Sequence, residues 1–344
     1  MRLLLLLSLT VTLFAAQPAK ETTEKPVIGQ GVFVAVGYGG FRGWSIDGKT
    51  WEAERWSDKN QDDPNIIFSL TYRAGTFLAA GGGVGKGFVL RSTDGKKWQE
   101  AVVEKWRIGQ VTTTDDRFIA AGTDTFLLSQ DGVTWVNGGA SKPVSATEKG
   151  SGYYRRHAVS ADGTVVFAGD YAIPDGKPRI GWTGYTKKGE TPLVVVTWPG
   201  DISGLAWGNG TFVAAGHLGQ IIVSSDGATW KEVLQTGDKH HGESVLFHAG
   251  RFVLKGEKST RVSPDGEKWQ EAKDVPRVPQ ATAPDGSLQL DCDWGGVKWS
   301  SDGKQWNKAT VPLDQTGVCA VAWGVPLANL PPEKPAKKKA KKQP

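Results

Sequence analysis

Apolar residues in the body of this chain fall in short runs, with Gly, Asn and Asp between them, and show no sustained helical period. Phe33-Val34-Ala35-Val36 and Phe77-Leu78-Ala79-Ala80 are typical. Runs this short, bounded by residues that tolerate positive φ, predict β-strands buried on both faces. Segment 201–234 shows the unit most clearly. It divides into extended runs at 202–207, 211–215, 220–224 and 230–233. Gly208-Asn209-Gly210 and Asp226-Gly227 stand where tight hairpin turns are required.

The unit repeats. Asp-Gly-x-x-Trp occurs at Asp47/Trp51, Asp94/Trp98, Asp131/Trp135, Asp226/Trp230, Asp265/Trp269 and Asp302/Trp306. Successive Asp positions are 47, 37, 95, 39 and 37 residues apart, so the long interval hides one unit without the signature. Four antiparallel strands at a period near 40 residues make one propeller blade. The expectation is an all-β, seven-bladed β-propeller of four-stranded antiparallel blades. The degraded fourth unit spans about 153–198, where Lys187-Lys188-Gly189-Glu190 replaces the Asp-Gly turn. The first unit starts at its second strand, Val32 to Val36. Its missing first strand matches Val318 to Gly324, whose text VCAVAWG parallels Gly204-Leu205-Ala206-Trp207-Gly208. Pairing of these two segments would close the ring without an open sheet edge.

At Ser224-Ser225-Asp226-Gly227-Ala228-Thr229-Trp230 the motif resembles the Asp-box (BNR) repeat of sialidase-like propellers, one residue tighter between Asp and Gly than that family's usual form. The shortened form is most similar to the non-catalytic branch, including propellers of the photosystem II assembly-factor type. The resemblance implies that Ser and Asp tie a turn between the third and fourth strands, with the Trp packed beneath. It also implies that a ligand site lies on the opposite face. A sialidase would need three Arg on the substrate carboxylate, a Tyr nucleophile and an acidic proton donor. The family's Arg-Ile-Pro element is missing before the first box, where residues 26–46 offer only Arg42; Arg179-Ile180 reads as strand sequence. Tyr153, Tyr154, Glu148 and Glu243 are the residues that could approach the axis. Glycoside hydrolysis is the main enzymatic alternative to a binding role.

The ends read differently from the body. Residues 1–16, MRLLLLLSLTVTLFAA, have the charged, apolar and small-residue order of a signal peptide and are too short to span a bilayer. No Cys follows as a lipidation site. Residues 17–29 form a polar linker, 30–330 the propeller, and 331–344 a Lys/Pro/Ala-rich tail without core-forming residues. The formal net charge of +5 resides in the ends: six Lys and one Glu in the tail and Arg2 in the leader, leaving the body near neutral. A neutral body argues against a nucleic-acid partner, whatever the pI of about 9.0 suggests. The tail offers weak contact with anionic surfaces. A secreted or periplasmic monomer is expected.

No cofactor or metal is expected. The five His lack zinc spacing, with His240-His241 reading as a solvated pair. The Gly81–Gly87 run joins two strands and does not open a helix. Cys292 and Cys319 fall near one rim, where a disulfide and two inert thiols are both open. Aligning the first strands on Asp201 gives Ile66, Arg107, Tyr154, His241, Arg277 and Gly317 at the channel mouth. The candidate ligand-binding set is Arg42, Lys86, Arg107, Tyr154, Arg155, Arg156, His217, His241, Arg277 and Trp294. Trp and Arg dominate protein interfaces, so the expected partner is a protein segment, an acidic peptide or a glycan. The same residues can instead pack between blades and pair with local carboxylates.

Overall fold

The structure is a computed structural model that describes residues 31–57, 64–83, 85–123, 125–138, 151–172, 180–187, 193–216, 219–235, 244–256, 259–314 and 317–331. The leader, the linker up to residue 30, and tail residues 332–344 lie outside them. Seven four-stranded antiparallel sheets are present among these residues. Blade 5 is built from Ile202–Gly208, Thr211–Gly216, Gln220–Ser224 and Lys231–Gln235. Its first hairpin turns on Asn209 and Gly210, both at positive φ, as the sequence requires. Blade 4 keeps four strands, Ser151–Val159, Thr164–Ala172, Ile180–Lys187 and Leu193–Pro199, despite its missing signature.

The ring closes as the repeat predicts. Strand Val318–Gly324 pairs antiparallel with Val32–Gly37, from Val32 opposite Gly324 to Gly37 opposite Val318. Blade 1 is therefore assembled from both ends of the propeller. The closing strand contributes Val318 and Val321 to a cluster with Phe33, Val297 and Leu290, which joins blade 1 to blade 7.

Five of the seven blades repeat one pairing. Phe33, Phe77, Phe118, Phe212 and Phe252, near the start of second strands, are buried and lie opposite Ser45, Ser92, Ser129, Ser224 and Ser263. Burying each Phe contributes about 2–3 kcal/mol. The opposing Ser organises the Asp-Gly turn. In blade 5 the Ser224 hydroxyl accepts the Gly227 N–H at 2.8 Å and donates to Asp226 Oδ1 at 3.0 Å. Asp226 Oδ1 in turn accepts the N–H groups of Ala228 and Thr229, both at 2.8 Å. Asp265 of blade 6 accepts those of Glu267 and Lys268 in the same way, both at 2.9 Å. The Trp230 indole closes the turn on the Gly227 carbonyl at 3.0 Å.

The Trp of the motif departs from its expected place in two respects. Trp51, Trp98, Trp135, Trp230, Trp269 and Trp306 each stand one residue before the fourth strand, so Trp230 ends the turn and does not open the run at 230–233. Packing beneath the turn is complete only for Trp51, at 3% exposure, where blade 7 covers the site and the Trp51 N–H donates to the Thr310 carbonyl at 2.9 Å. Trp98, Trp135, Trp230, Trp269 and Trp306 are half-buried, because the fourth strand is the edge of its sheet and packing there is one-sided. The indoles also differ in their bonds. Those of Trp51, Trp269 and Trp306 donate to the carbonyls of Gly48, Gly266 and Gly303 at 3.0, 2.7 and 3.3 Å. The Trp135 indole nitrogen is buried without a hydrogen-bond partner among the described residues, and Trp98 packs against the cluster of Phe77 and Leu90.

The glycine of the turn answers two demands. Gly95 has φ +75, and a Cβ there would lie 2.8 Å from Val34 Cγ2 and 2.9 Å from Val32 Cγ1 of the preceding blade. Gly227 meets Val166 and Gly266 meets Val213 in the same way. The turns at Gly48, Gly95, Gly132, Gly227 and Gly266 thus press on the blade before them, whereas Gly303 meets Gln289 of its own blade; the close approach explains why Gly directly follows Asp. Two faces result. The Asp-Gly turns and first hairpins form the turn face; the loops between second and third strands and between blades form the mouth face.

Candidate functional site at the channel mouth

Strand register decides what reaches the channel. In blades 1 to 5 the first strand carries one extra residue just inside its mouth end: Cys319, Phe68, Gly109, Arg155 and Ser203. A bulge of this kind breaks the alternation and re-aims one residue. Four of the five line one pocket of about 290 Å³, with Arg107, Gln110, Gly122, Thr123, Tyr154 and Arg156 completing its wall. Sequence reading named Arg155 and Cys319 but not Phe68, Gly109 or Ser203, and it missed the bulge itself, because an extra residue inside an otherwise regular strand leaves no mark in composition or spacing.

The register also corrects one alignment. Tyr154 falls at the position of Ile67, Ile108 and Ile202, so Tyr153 is the counterpart of Asp201. The Tyr154 ring is buried between blades 3 and 4, edge-on to Phe167 and Trp182 at 5.4 and 4.8 Å, and reaches the pocket only with its margin.

Three arginines converge on the pocket. Arg107 stands over the Phe68 ring at 5.1 Å. Arg155 forms a two-pronged pair with Asp170, Nε to Oδ1 at 2.6 Å and Nη2 to Oδ2 at 3.1 Å, and Asp170 is fully buried. Arg156 donates from Nη1 to the Arg155 carbonyl at 2.9 Å. Arg156 is exposed; desolvation by the protein around it disfavours its charge and Arg155 adds repulsion, so its pKa is lowered. Gln110 of blade 3 stitches the wall to blade 4, donating to the Arg155 carbonyl at 2.7 Å and accepting at 3.0 Å from His157 Nδ1. Burial, reinforced by Arg156, pushes His157 down to about 4, so the imidazole is neutral and Nδ1 carries the proton.

The other candidates lie away from this pocket. Arg42 is buried, donating to Glu54 at 2.9 and 2.7 Å and to the Gly40 carbonyl at 3.0 Å, beneath the Trp56 ring. Lys86 pairs with Glu100 at 2.6 Å. Arg277 bridges Asp291 at 2.6 Å and Asp293 at 2.9 Å, and Lys298 also binds Asp293. These are the local carboxylate pairings weighed against a ligand role. Trp294 is 51% exposed and stands edge-on to Tyr38 at 5.0 Å, while Trp56 is 45% exposed. His217 and His241 lie outside the described residues.

Cys292 and Cys319 are free thiols. Burial, with the nearby Asp291 and Cys319, raises Cys292 well above its ordinary value, and burial pushes Cys319 up to about 12, so neither is a reactive thiolate. Among the described residues no cluster of His, Cys, Asp and Glu could hold a metal ion, and no helix is long and apolar enough to cross a membrane.

No protein-family model matches this chain, and no curated protein matches it. Solved structures similar to it include YCF48 from Cyanidioschyzon merolae (12% identity, 77% of this chain and 96% of that one, TM-score 0.46). Another is YCF48 bound to D1 peptide (15% identity, 71% and 78%, TM-score 0.48). The periplasmic gluconolactonase PpgL of Pseudomonas aeruginosa aligns over 86% of this chain and 99% of its own, at 11% identity and TM-score 0.50. At 11% identity the likeness to PpgL is one of fold alone. The seven four-stranded sheets and the closing strand make the chain a seven-bladed β-propeller.

Proposed function

We propose that this chain is an exported binding module whose channel mouth captures an anionic segment of a protein partner. The supporting observation is the convergence of Arg107, Arg155 and Arg156 on one pocket, where Asp170 neutralises Arg155 while Arg156 donates to a carbonyl. A guanidinium forms charge-assisted, two-pronged hydrogen bonds with a carboxylate, so this cluster of arginines favours an acidic ligand. None of the described residues lining this pocket is a carboxylate, which favours capture over the paired-acid chemistry of glycoside hydrolysis. The leader sequence supports export, and the Ser-x-Asp-Gly turns support kinship with non-catalytic Asp-box propellers.

A titration of the full chain with an acidic decapeptide of Asp and Glu tests this reading. Arg107→Glu with Arg156→Glu should weaken binding at least ~30-fold and leave the unfolding midpoint in place. Equal affinity for wild type and variant would reject the lumen site. A second reading, glycan capture, draws on exposed Trp56 and Trp294, whose flat faces suit sugar rings. Binding of neutral oligosaccharides abolished by Trp294→Ala would favour it.

A further inference from the structure

We propose that the protein segment captured at the channel mouth is amphipathic: its carboxylates enter the arginine pocket while neighbouring apolar side chains seat on a platform at the mouth end of blade 2. This deepens the reading of the arginine pocket given above and rests on it. Three apolar residues stand exposed at this end of the blade, Trp56 at 45%, Val103 at 57% and Trp106 at 38%. Trp56 lies in the connection from blade 1 to blade 2 and Trp106 in that from blade 2 to blade 3, so both belong to the mouth face. Val103 sits at the mouth end of the fourth strand of blade 2, Gln99–Glu104.

One strand brings the three together. Phe88, in the third strand Lys86–Ser92, is buried and lies directly opposite Val103, so both side chains take the face turned towards blade 1. From blade 1 the Trp56 ring meets Phe88 edge-on at 5.6 Å. Trp56, Phe88 and Val103 thus make one apolar surface. Gly87, next to Phe88, admits the connection that bears Trp106, since a Cβ there would lie 1.9 Å from the Trp106 carbonyl oxygen. The residue after Trp106 is Arg107, which lines the pocket. Platform and pocket are therefore adjacent along the chain.

The platform is set before a ligand arrives. A Cβ on Gly40 would lie 2.3 Å from Trp56 Cε3, the Trp56 backbone N–H donates to the Gly39 carbonyl at 3.0 Å, and the Arg42 guanidinium stacks on the ring at 4.1 Å. A side chain already held in place loses little freedom on binding. Charges around the platform balance: Glu54 pairs with Arg42, Glu100 with Lys86, and Glu104 is followed by Lys105. The preference for an acidic ligand therefore comes from the pocket, and the platform adds apolar contact. Exposed apolar surface beside an arginine cluster suits a protein partner, because Trp and Arg anchor such interfaces. The aliphatic Val103 offers a sugar neither a flat face nor a hydrogen bond.

Isothermal titration of the full chain with three decapeptides tests the proposal. One contains only Asp and Glu; the second keeps five acidic residues and has Leu and Phe for the rest, made with the acidic half first and with it last; the third has Ser in place of those five acids. The tighter of the two mixed orders should bind at least ~10-fold better than the acidic peptide and ~10-fold better than the Ser peptide. Trp106→Ala should lower mixed-peptide affinity by ~5-fold or more and Val103→Ser by ~3-fold, each changing acidic-peptide affinity by less than ~2-fold. Val133→Ser, at a residue 58% exposed on the turn face, should bind all three peptides as wild type. Arg107→Glu with Arg156→Glu should weaken both acid-containing peptides. Mixed peptides no tighter than the acidic one, or a gain that survives both Trp106→Ala and Val103→Ser, would overturn the platform and leave the arginine pocket standing. If the paired arginine variant binds both acid-containing peptides as wild type, the pocket reading fails and this inference with it. Displacement of the mixed peptide by neutral oligosaccharides, lost in Trp56→Ala, would overturn it in favour of a glycan.

Discussion

Replacing Gly95 by Ala probes how adjacent blades lock. The backbone there has φ +75, and an L side chain in that region costs about 1 kcal/mol. The new methyl also lands 2.8 Å from Val34 Cγ2 and 2.9 Å from Val32 Cγ1. Both valines are buried in the strand that zips to Val318–Gly324, so they have little room to retreat, and overpacking adds about 1–3 kcal/mol. Gly210 is the matched control: its φ is +78 and nothing lies within 4 Å of its notional Cβ, so Ala there costs only about 1 kcal/mol. At roughly 2–4 °C per kcal/mol, thermal melting followed by Trp fluorescence should fall by about 2–4 °C for Gly210→Ala and about 4–16 °C for Gly95→Ala. Adding Val34→Ala to Gly95→Ala should cost less than the sum of the single changes, because it removes the nearest obstructing carbon. Equal losses at Gly95 and Gly210, or full additivity with Val34→Ala, would refute the idea that the Gly95 turn is wedged against the preceding blade.

Other outcomes follow from the same geometry. The folded pKa of His157 lies below its unfolded value, so its contribution is full above about pH 6.5 and is lost as pH falls towards 4. Urea midpoints across this window should report about 2–3 kcal/mol, and His157→Gln should flatten the slope. The backbone N–H groups of Thr134 and Val133 hold Asp131 at about 2, so the stability from this turn is present above pH 4 and lost between about 4 and 2. Asp131→Asn should remove that part of the acid transition in a fluorescence titration. Arg277→Met strands the buried Asp291 carboxylate, already raised by desolvation against the pull of Arg277, and should cost about 3 kcal/mol in denaturant melts without altering acidic-peptide affinity.

The architecture was legible because six Asp-Gly-x-x-Trp strings lie in register and the closing strand repeats the text of Gly204 to Gly208. Each string encodes a local turn, and local geometry can be read from neighbouring residues. How deep its Trp sits cannot, since blade 7 buries Trp51 while Trp98 and Trp306 stay half-buried at a sheet edge. The channel was less legible because its lining depends on bulges, which arise from pairing between strands. Tyr154 was misplaced by one residue because the first hairpin of blade 4, residues 160–164 between Val159 and Val165, is one residue longer than residues 208–211 between Trp207 and Phe212 in blade 5. The pairing of Arg42 with Glu54 joins two strands, and that of Arg277 with Asp291 joins the segment before blade 7 to a strand; the partners are 12 and 14 positions apart, which only the fold reveals. Blade 4 shows the converse. Its Ser160-Ala161-Asp162-Gly163 text looks like the missing turn signature, yet it caps the first hairpin, where Ser160 bonds Asp162 and the Thr164 N–H. Text alone does not say which hairpin a Ser-x-Asp-Gly string occupies.

Site-specific photo-cross-linking in a native envelope fraction addresses the lumen most directly. A photoreactive amino acid at Thr123, in the pocket wall, should give a discrete protein adduct that excess acidic peptide competes away and that Arg156→Glu abolishes. The same group at Thr134, on the turn face, should give none that the peptide affects. Adducts from residue 134 alone, or adducts from residue 123 that persist undiminished in Arg156→Glu, would contradict capture at the mouth of the channel.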